Sequence, residues 1–142
     1  MFVVVLAAIT PLILYFTQGY HPSLSTYWET PMQPLFIIVN AITSYYLYGI
    51  KNWKFPAFFM LMLTAFSVTD FMIFHNIVAG MFFVSCLVAI HISRHLRFIF
   101  WMYLVSLPVM IYDLLLGESL AVFSLCLYHA IVLIKINKFL SR

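Results

Sequence analysis

Apolar residues run along this chain in long blocks separated by short polar interruptions, and the interruptions divide it into six segments: residues 2–17, 35–50, 55–70, 76–92, 98–116 and 118–135. A helix crossing the hydrocarbon of a bilayer needs about 20 residues, with about 17 at the lower limit. Backbone N–H and C=O groups inside lipid must be satisfied within their own segment, so each block is predicted to be helical. The weakest division lies in residues 55–92, which form one run of 38 positions, too long for one crossing. Its only polar break is Asp70 with His75 and Asn76, which predicts a tight turn over 70–76. Pro11 and Pro108 predict kinks in the first and fifth helices. Pro56 suits the first turn of the third. Gly117 is expected to end the fifth helix as a left-handed cap, with Glu118 and Ser119 opening the sixth.

Charge then orients the pattern. With the N-terminus inside, Lys51, Lys54, Arg94, Arg97, Lys135, Lys138 and Arg142 all fall on the inner side, and Glu29, Asp70, Asp113 and Glu118 all fall on the outer side. Short cytoplasmic loops are enriched in Lys and Arg, so this segregation predicts cytoplasmic N- and C-termini. Tyr45, Tyr46 and Tyr48 cluster toward the inner end of the second segment, as an interfacial aromatic belt would. The expected fold class is an all-α membrane protein, a six-transmembrane-helix bundle forming one integral membrane domain over residues 1–142.

Composition agrees with that picture and removes several functions. Hydrophobic residues make up 65% of the 142 positions and charged residues 8%, with a mean hydropathy of +1.08. A soluble domain needs more polar surface than this to stay dispersed. The longest polar stretch, Gln18–Pro34, is too short for a separate folded domain. The net charge of +3 comes from loop Lys and Arg that can touch anionic lipid headgroups. No basic run exists to hold a nucleic acid. Cys86 and Cys126 lie within apolar blocks without CxxC spacing, so neither a disulfide scaffold nor a zinc site is expected. The first segment lacks a basic leader and a small-residue cleavage site, and reads as an uncleaved span. Neither a glycine at position 2 nor a terminal prenylation box is present. The expected location is a bacterial inner (cytoplasmic) membrane.

Three sets of residues could carry chemistry. His21, Ser23, Ser25, Tyr27, Glu29, Asp70, His75, Asp113 and Glu118 are delivered to the outer face by three connections. Of these, Ser23, Ser25, Tyr27, Asp70, His75 and Glu118 are the candidates for a ligand pocket. The bland alternative is that acids at helix ends keep their hydration and do nothing more. His91 and His95 share a helix face at i and i+4, but two histidines at an interface do not define a metal site. No metal and no cofactor is expected. His129 stands eleven residues past Glu118, so about 16 Å deeper at about 1.5 Å per residue, near mid-membrane. It needs a polar partner there, with Asn40, Thr43, Ser44, Ser85 and Ser106 as candidates; His129 and Asn40 are the intramembrane polar residues of interest. A two-haem arrangement is weak, because His75 and His91 lie about 24 Å apart along one helix and His129 matches neither depth.

The segment PSLSTYWETPMQPLF, Pro22–Phe36, resembles the PSIS-x-YY-x-T-P-x-R-x-x-F stretch of small bacterial six-span proteins related to the Frag/DRAM/Sfk group. That group includes the damage-regulated autophagy modulators and a GPI-anchor remodelling factor. TDFMIFHNIVAGMFF, Thr69–Phe83, is similar to their H-x-x-x-A-x-x-F-F helix start. LGESLAVFSLCLYHAIVLIK, Leu116–Lys135, is similar to their closing E-x-x-A-L-x-x-F-x-x-x-W-x-x-K span. The resemblance implies that Ser23, Ser25, Tyr27, His75 and Glu118 are the outer-face residues that matter, and that the role lies in lipid handling or trafficking. Gln33 stands where those proteins often carry Arg, Trp28 replaces a second Tyr, and His129 replaces part of the closing aromatic.

The leading expectation is a multi-pass membrane protein whose outer-face polar pocket binds lipid headgroups or a protein partner within the membrane, without catalysis. A second is an accessory subunit of a larger membrane complex. A third is an intramembrane lipid hydrolase or lipid-modifying enzyme using Ser25, Asp70, His75 and Glu118, although no GxSxG motif supports it. A transporter would need paired charges at mid-depth, where only His129 stands.

Overall fold

The computed structural model describes residues 1–93 and 96–140, and the side chains among these except at positions 137, 139 and 140. Among them run six α-helices: α1 (Phe2–Gln18), α2 (Gln33–Tyr48), α3 (Lys54–Ala65), α4 (Met72–Ser93), α5 (Arg97–Tyr112) and α6 (Leu114–Leu140). Two 3-10 turns, Leu24–Glu29 and Lys51–Trp53, interrupt the connections either side of α2. No strand occurs among the described residues. Two helices are long and apolar enough to cross a membrane: α4, with 22 residues, and the Leu114–Ile136 part of α6, with 23. α1 and α5 are apolar but shorter.

Local chemistry accounts for most boundaries. α1 stops where Gly19 takes φ 79°, a left-handed conformation that glycine enters without a Cβ clash, and the Gly19 N–H returns to the Tyr15 carbonyl at 2.9 Å. Pro11 and Pro108 lie inside α1 and α5, as their positions predict. Pro34 and Pro56 fall in the first turns of α2 and α3, where their missing N–H costs no helical bond.

Two boundaries differ from the sequence-based expectation. The turn between α3 and α4 lies at residues 66–71, not 70–76. Ser67, an inconspicuous residue in an apolar run, makes it: its Oγ accepts the Asp70 N–H at 3.0 Å and donates to Asp70 Oδ2 at 3.2 Å. His75 and Asn76 then belong to the first turns of α4, and His75 is not a break because its Nδ1 meets the Phe66 carbonyl at 2.8 Å. The second difference is that α5 ends at Asp113, four residues before the expected cap. Asp113 Oδ1 accepts the Leu116 N–H at 2.9 Å and so starts α6, and Gly117 is an ordinary helical residue. Its lack of a side chain serves packing instead: a Cβ on Gly117 would fall 2.5 Å from the Met110 nitrogen and 2.7 Å from its Cα.

Each helix packs on its successor and α1 packs on α6, which closes the ring. The larger core cluster, including Leu47, Trp53, Phe82, Cys86, Ile99 and Tyr103, fills the space between α2, α3, α4, α5 and α6. A smaller cluster of Leu14, Tyr27, Phe36 and Leu115 seals the end where α1 finishes. Cys86 and Cys126 are both buried and unbridged. Outward faces carry large apolar side chains, among them Phe16, Ile73, Ile111 and Tyr112, while Thr10, Ser44, Ser106, His75, Glu118 and His129 are buried.

Candidate ligand pocket at the acidic end of the bundle

The residues 19–32 that connect α1 to α2 fold back over the helix ends. Tyr27 is fully buried and its hydroxyl donates to the Gly19 carbonyl at 2.7 Å, with the His21 ring 4.6 Å away. Burial is the main influence on this phenol and pushes its pKa above the ordinary 10, so it remains a donor. Ser23 is buried and shares a 3.0 Å hydrogen bond with the Ser25 hydroxyl, and Thr26 Oγ1 closes the turn on the Ser23 carbonyl at 2.7 Å. Glu29 accepts from Thr69 Oγ1 at 2.7 Å, tying this connection to the turn before α4.

Glu118 joins the same assembly from α6. The residue is 8% exposed, and its Oε2 accepts the Leu24 N–H at 2.6 Å across 94 residues of sequence. His75, 2% exposed, comes from α4. A carbonyl only accepts, so the bond to the Phe66 oxygen puts a proton on Nδ1, and in the neutral ring Nε2 is then the acceptor. Between them lies a cavity of about 80 Å³ lined by Leu24, Ser25, Asn40, His75 and Glu118, with Phe36, Phe82 and Phe83 among its apolar walls.

Of the six pocket candidates, Ser25, His75 and Glu118 line this cavity, and Asn40 joins them from α2. Ser23 and Tyr27 do not line it; they shape the connection that carries Leu24 and Ser25. Asp70 stands apart on the exposed turn, bonded to Ser67. The reason is the shifted turn: Asp70 precedes α4 by two residues, whereas His75 already faces the interior. Two contributors were invisible in the pattern, the Leu24 N–H and the Phe66 carbonyl, because every residue type carries these groups.

His129 differs from expectation in its partners. It stands fifteen residues past Leu114 in the 27-residue α6, its ring 4.3 Å from Trp53, 5.1 Å from Tyr128 and 5.5 Å from Tyr46. None of the expected polar partners bonds it: Ser44, Ser85 and Ser106 donate to the Ala57, Phe82 and Tyr103 carbonyls. His129 Nε2 and Thr43 Oγ1 are buried without hydrogen-bond partners and line the same cavity of about 40 Å³. A further cavity of about 50 Å³ shares Asn40 with the outermost one and Thr43 with the innermost. His91 is exposed beside Phe100, and His95 lies outside the described residues. Among the described residues no three of His, Cys, Asp and Glu are grouped to share a metal ion.

No protein-family model, curated protein or solved structure matches this chain. The resemblance to the Frag/DRAM/Sfk-related proteins therefore rests on the quoted segments alone.

Proposed function

We propose that this chain is a multi-pass membrane protein, a six-helix bundle with cytoplasmic termini, whose cavity at the acidic end binds the polar headgroup of a lipid without catalysing a reaction. One observation carries it: Ser25, Asn40, His75 and Glu118 line one cavity at the end of a bundle that turns large apolar side chains outward. Soluble monomers rarely expose extended apolar surface, and a bilayer is the solvent in which such faces are at home. The segregation of Lys and Arg from Asp and Glu supports the orientation, with the cavity outside, and a bacterial inner membrane is the location this fits.

Hydrolase chemistry is less well supported. An activated serine needs a hydrogen-bonded base with an orienting acid behind it. Here the Ser25 hydroxyl bonds Ser23, the His75 Nδ1 proton goes to a backbone carbonyl, and Asp70 is outside the cavity.

Purification from native membranes in mild detergent, followed by native mass spectrometry, tests the proposal. A lipid should remain on the wild type and be retained less by the His75→Ala and Glu118→Gln proteins. Equal retention by all three would refute it.

A further inference from the structure

Within the headgroup reading, on which this step rests, the cavity's polar groups define the charge and donor count of what fits. Glu118 brings a carboxylate that is mostly buried and has spent one oxygen on the Leu24 N–H. His75 has committed its Nδ1 proton to Phe66 and, as a neutral ring, offers Nε2 as an acceptor. Ser25 and Asn40 add a hydroxyl and an amide, each with donor and acceptor atoms. No Lys or Arg lines the cavity, and α6 carries its own cations, Lys135 and Lys138, at the far end. A buried carboxylate without a cationic partner is costly, and no Lys or Arg lines this cavity, while the acids at this end are Glu29, Asp70 and Asp113. A phosphate could take hydrogen bonds from the Ser25 hydroxyl and the Asn40 amide, but it would face the Glu118 carboxylate, a like charge, with no Lys or Arg to offset it.

We propose that the group seated here is a primary ammonium, as on phosphatidylethanolamine, held by Glu118, His75 and Asn40. Its positive charge is the partner Glu118 lacks, and its N–H donors suit the acceptor atoms that residues lining the cavity from α6, α4 and α2 carry. A quaternary choline has the charge but no N–H to donate. Phe36, Phe82 and Phe83 wall the cavity with rings on which the methylenes next to the ammonium can pack, and the apolar side chains turned outward around the bundle favour a lipid headgroup over a free amine as its source.

The test is lipid competition. Purified protein is given an equimolar mixture of phosphatidylethanolamine, phosphatidylcholine and phosphatidylglycerol in detergent, and the retained lipid is counted by native mass spectrometry. The wild type should keep phosphatidylethanolamine over the other two by about tenfold or more. Glu118→Gln should lose that preference while still folding, because glutamine's oxygen can keep the Leu24 hydrogen bond. Asp113→Asn, which keeps a capping oxygen for the Leu116 N–H and removes only a charge outside the cavity, should leave the preference intact. Phosphatidylglycerol retained in preference, or a preference that survives Glu118→Gln, overturns the ammonium assignment while the headgroup reading stands. No lipid retained from any of the three, with no binding of free ethanolamine either, overturns both. If added free ethanolamine binds to the wild type but not to Glu118→Gln, and no phosphatidylethanolamine is kept, the ammonium site is upheld and its lipid source overturned.

Discussion

Thr43 and Ser44 are adjacent on α2 and have opposite hydrogen-bonding fates. Ser44 donates to the Ala57 carbonyl of α3 at 2.7 Å, an interhelical bond in a buried position. Thr43 Oγ1 is buried with no partner. Removing one half of a buried hydrogen bond costs about 1–3 kcal/mol, whereas removing an orphaned hydroxyl relieves a desolvation cost. Ser44→Ala should therefore lower the midpoint of thermal unfolding in detergent. Thr43→Val, nearly the same shape, should leave it unchanged or raise it. A Thr43→Val protein less stable than Ser44→Ala would mean that the hydroxyl has a partner after all, an ordered water shared with His129 being the first to look for in its cavity.

At the scale of elements, glycines separate packing from conformation. Gly117 brings the second turn of α6 against the end of α5, where an added methyl would collide with the Met110 backbone. Gly117→Ala should push α5 and α6 apart and destabilise the protein by about 1–3 kcal/mol. Gly80, in the middle of α4, has open space where its Cβ would stand. Gly80→Ala should be tolerated or stabilise by up to about 1 kcal/mol, since alanine is the better helix former. Melting the two variants side by side checks the contrast. The early start of α6 also matters for the site: with the helix beginning at Leu114, Glu118 sits about 6 Å deeper than a helix-opening residue would, at about 1.5 Å per residue. Capping by Asp113 thus carries a carboxylate from the surface into the interior.

For the whole molecule, the proposed six crossings make a topological prediction. In a background with Cys86 and Cys126 replaced by serine, single cysteines at Tyr20 and Glu29 should react with an impermeant thiol reagent added outside intact cells. Cysteines at Lys51 and Lys138 should react only after the membrane is opened. Labelling of Lys51→Cys from outside would remove the second crossing and with it the six-span arrangement. The ring closed by α1 on α6 gives this topology a packing logic, because the first and last helices then meet under the connection that carries Leu24 to Glu118.

Local signals were legible in the chain alone. The apolar blocks specified helices and their order, the prolines marked α1 and α5, and the Ser25, His75 and Glu118 side chains stood out as polar groups in apolar company. These follow from periodicity and composition, which neighbouring residues carry without reference to the rest of the fold. Tertiary structure decided the remainder. Whether Asp70 or His75 faces inward depended on one serine hydroxyl setting the turn, and the place of Glu118 a turn inside α6 depended on which residue capped that helix. That Asn40 meets His75 and Glu118 depended on how α2, α4 and α6 rotate about their axes, a choice made by packing, because only the assembled bundle can weigh burying a carboxylate against the backbone N–H waiting for it.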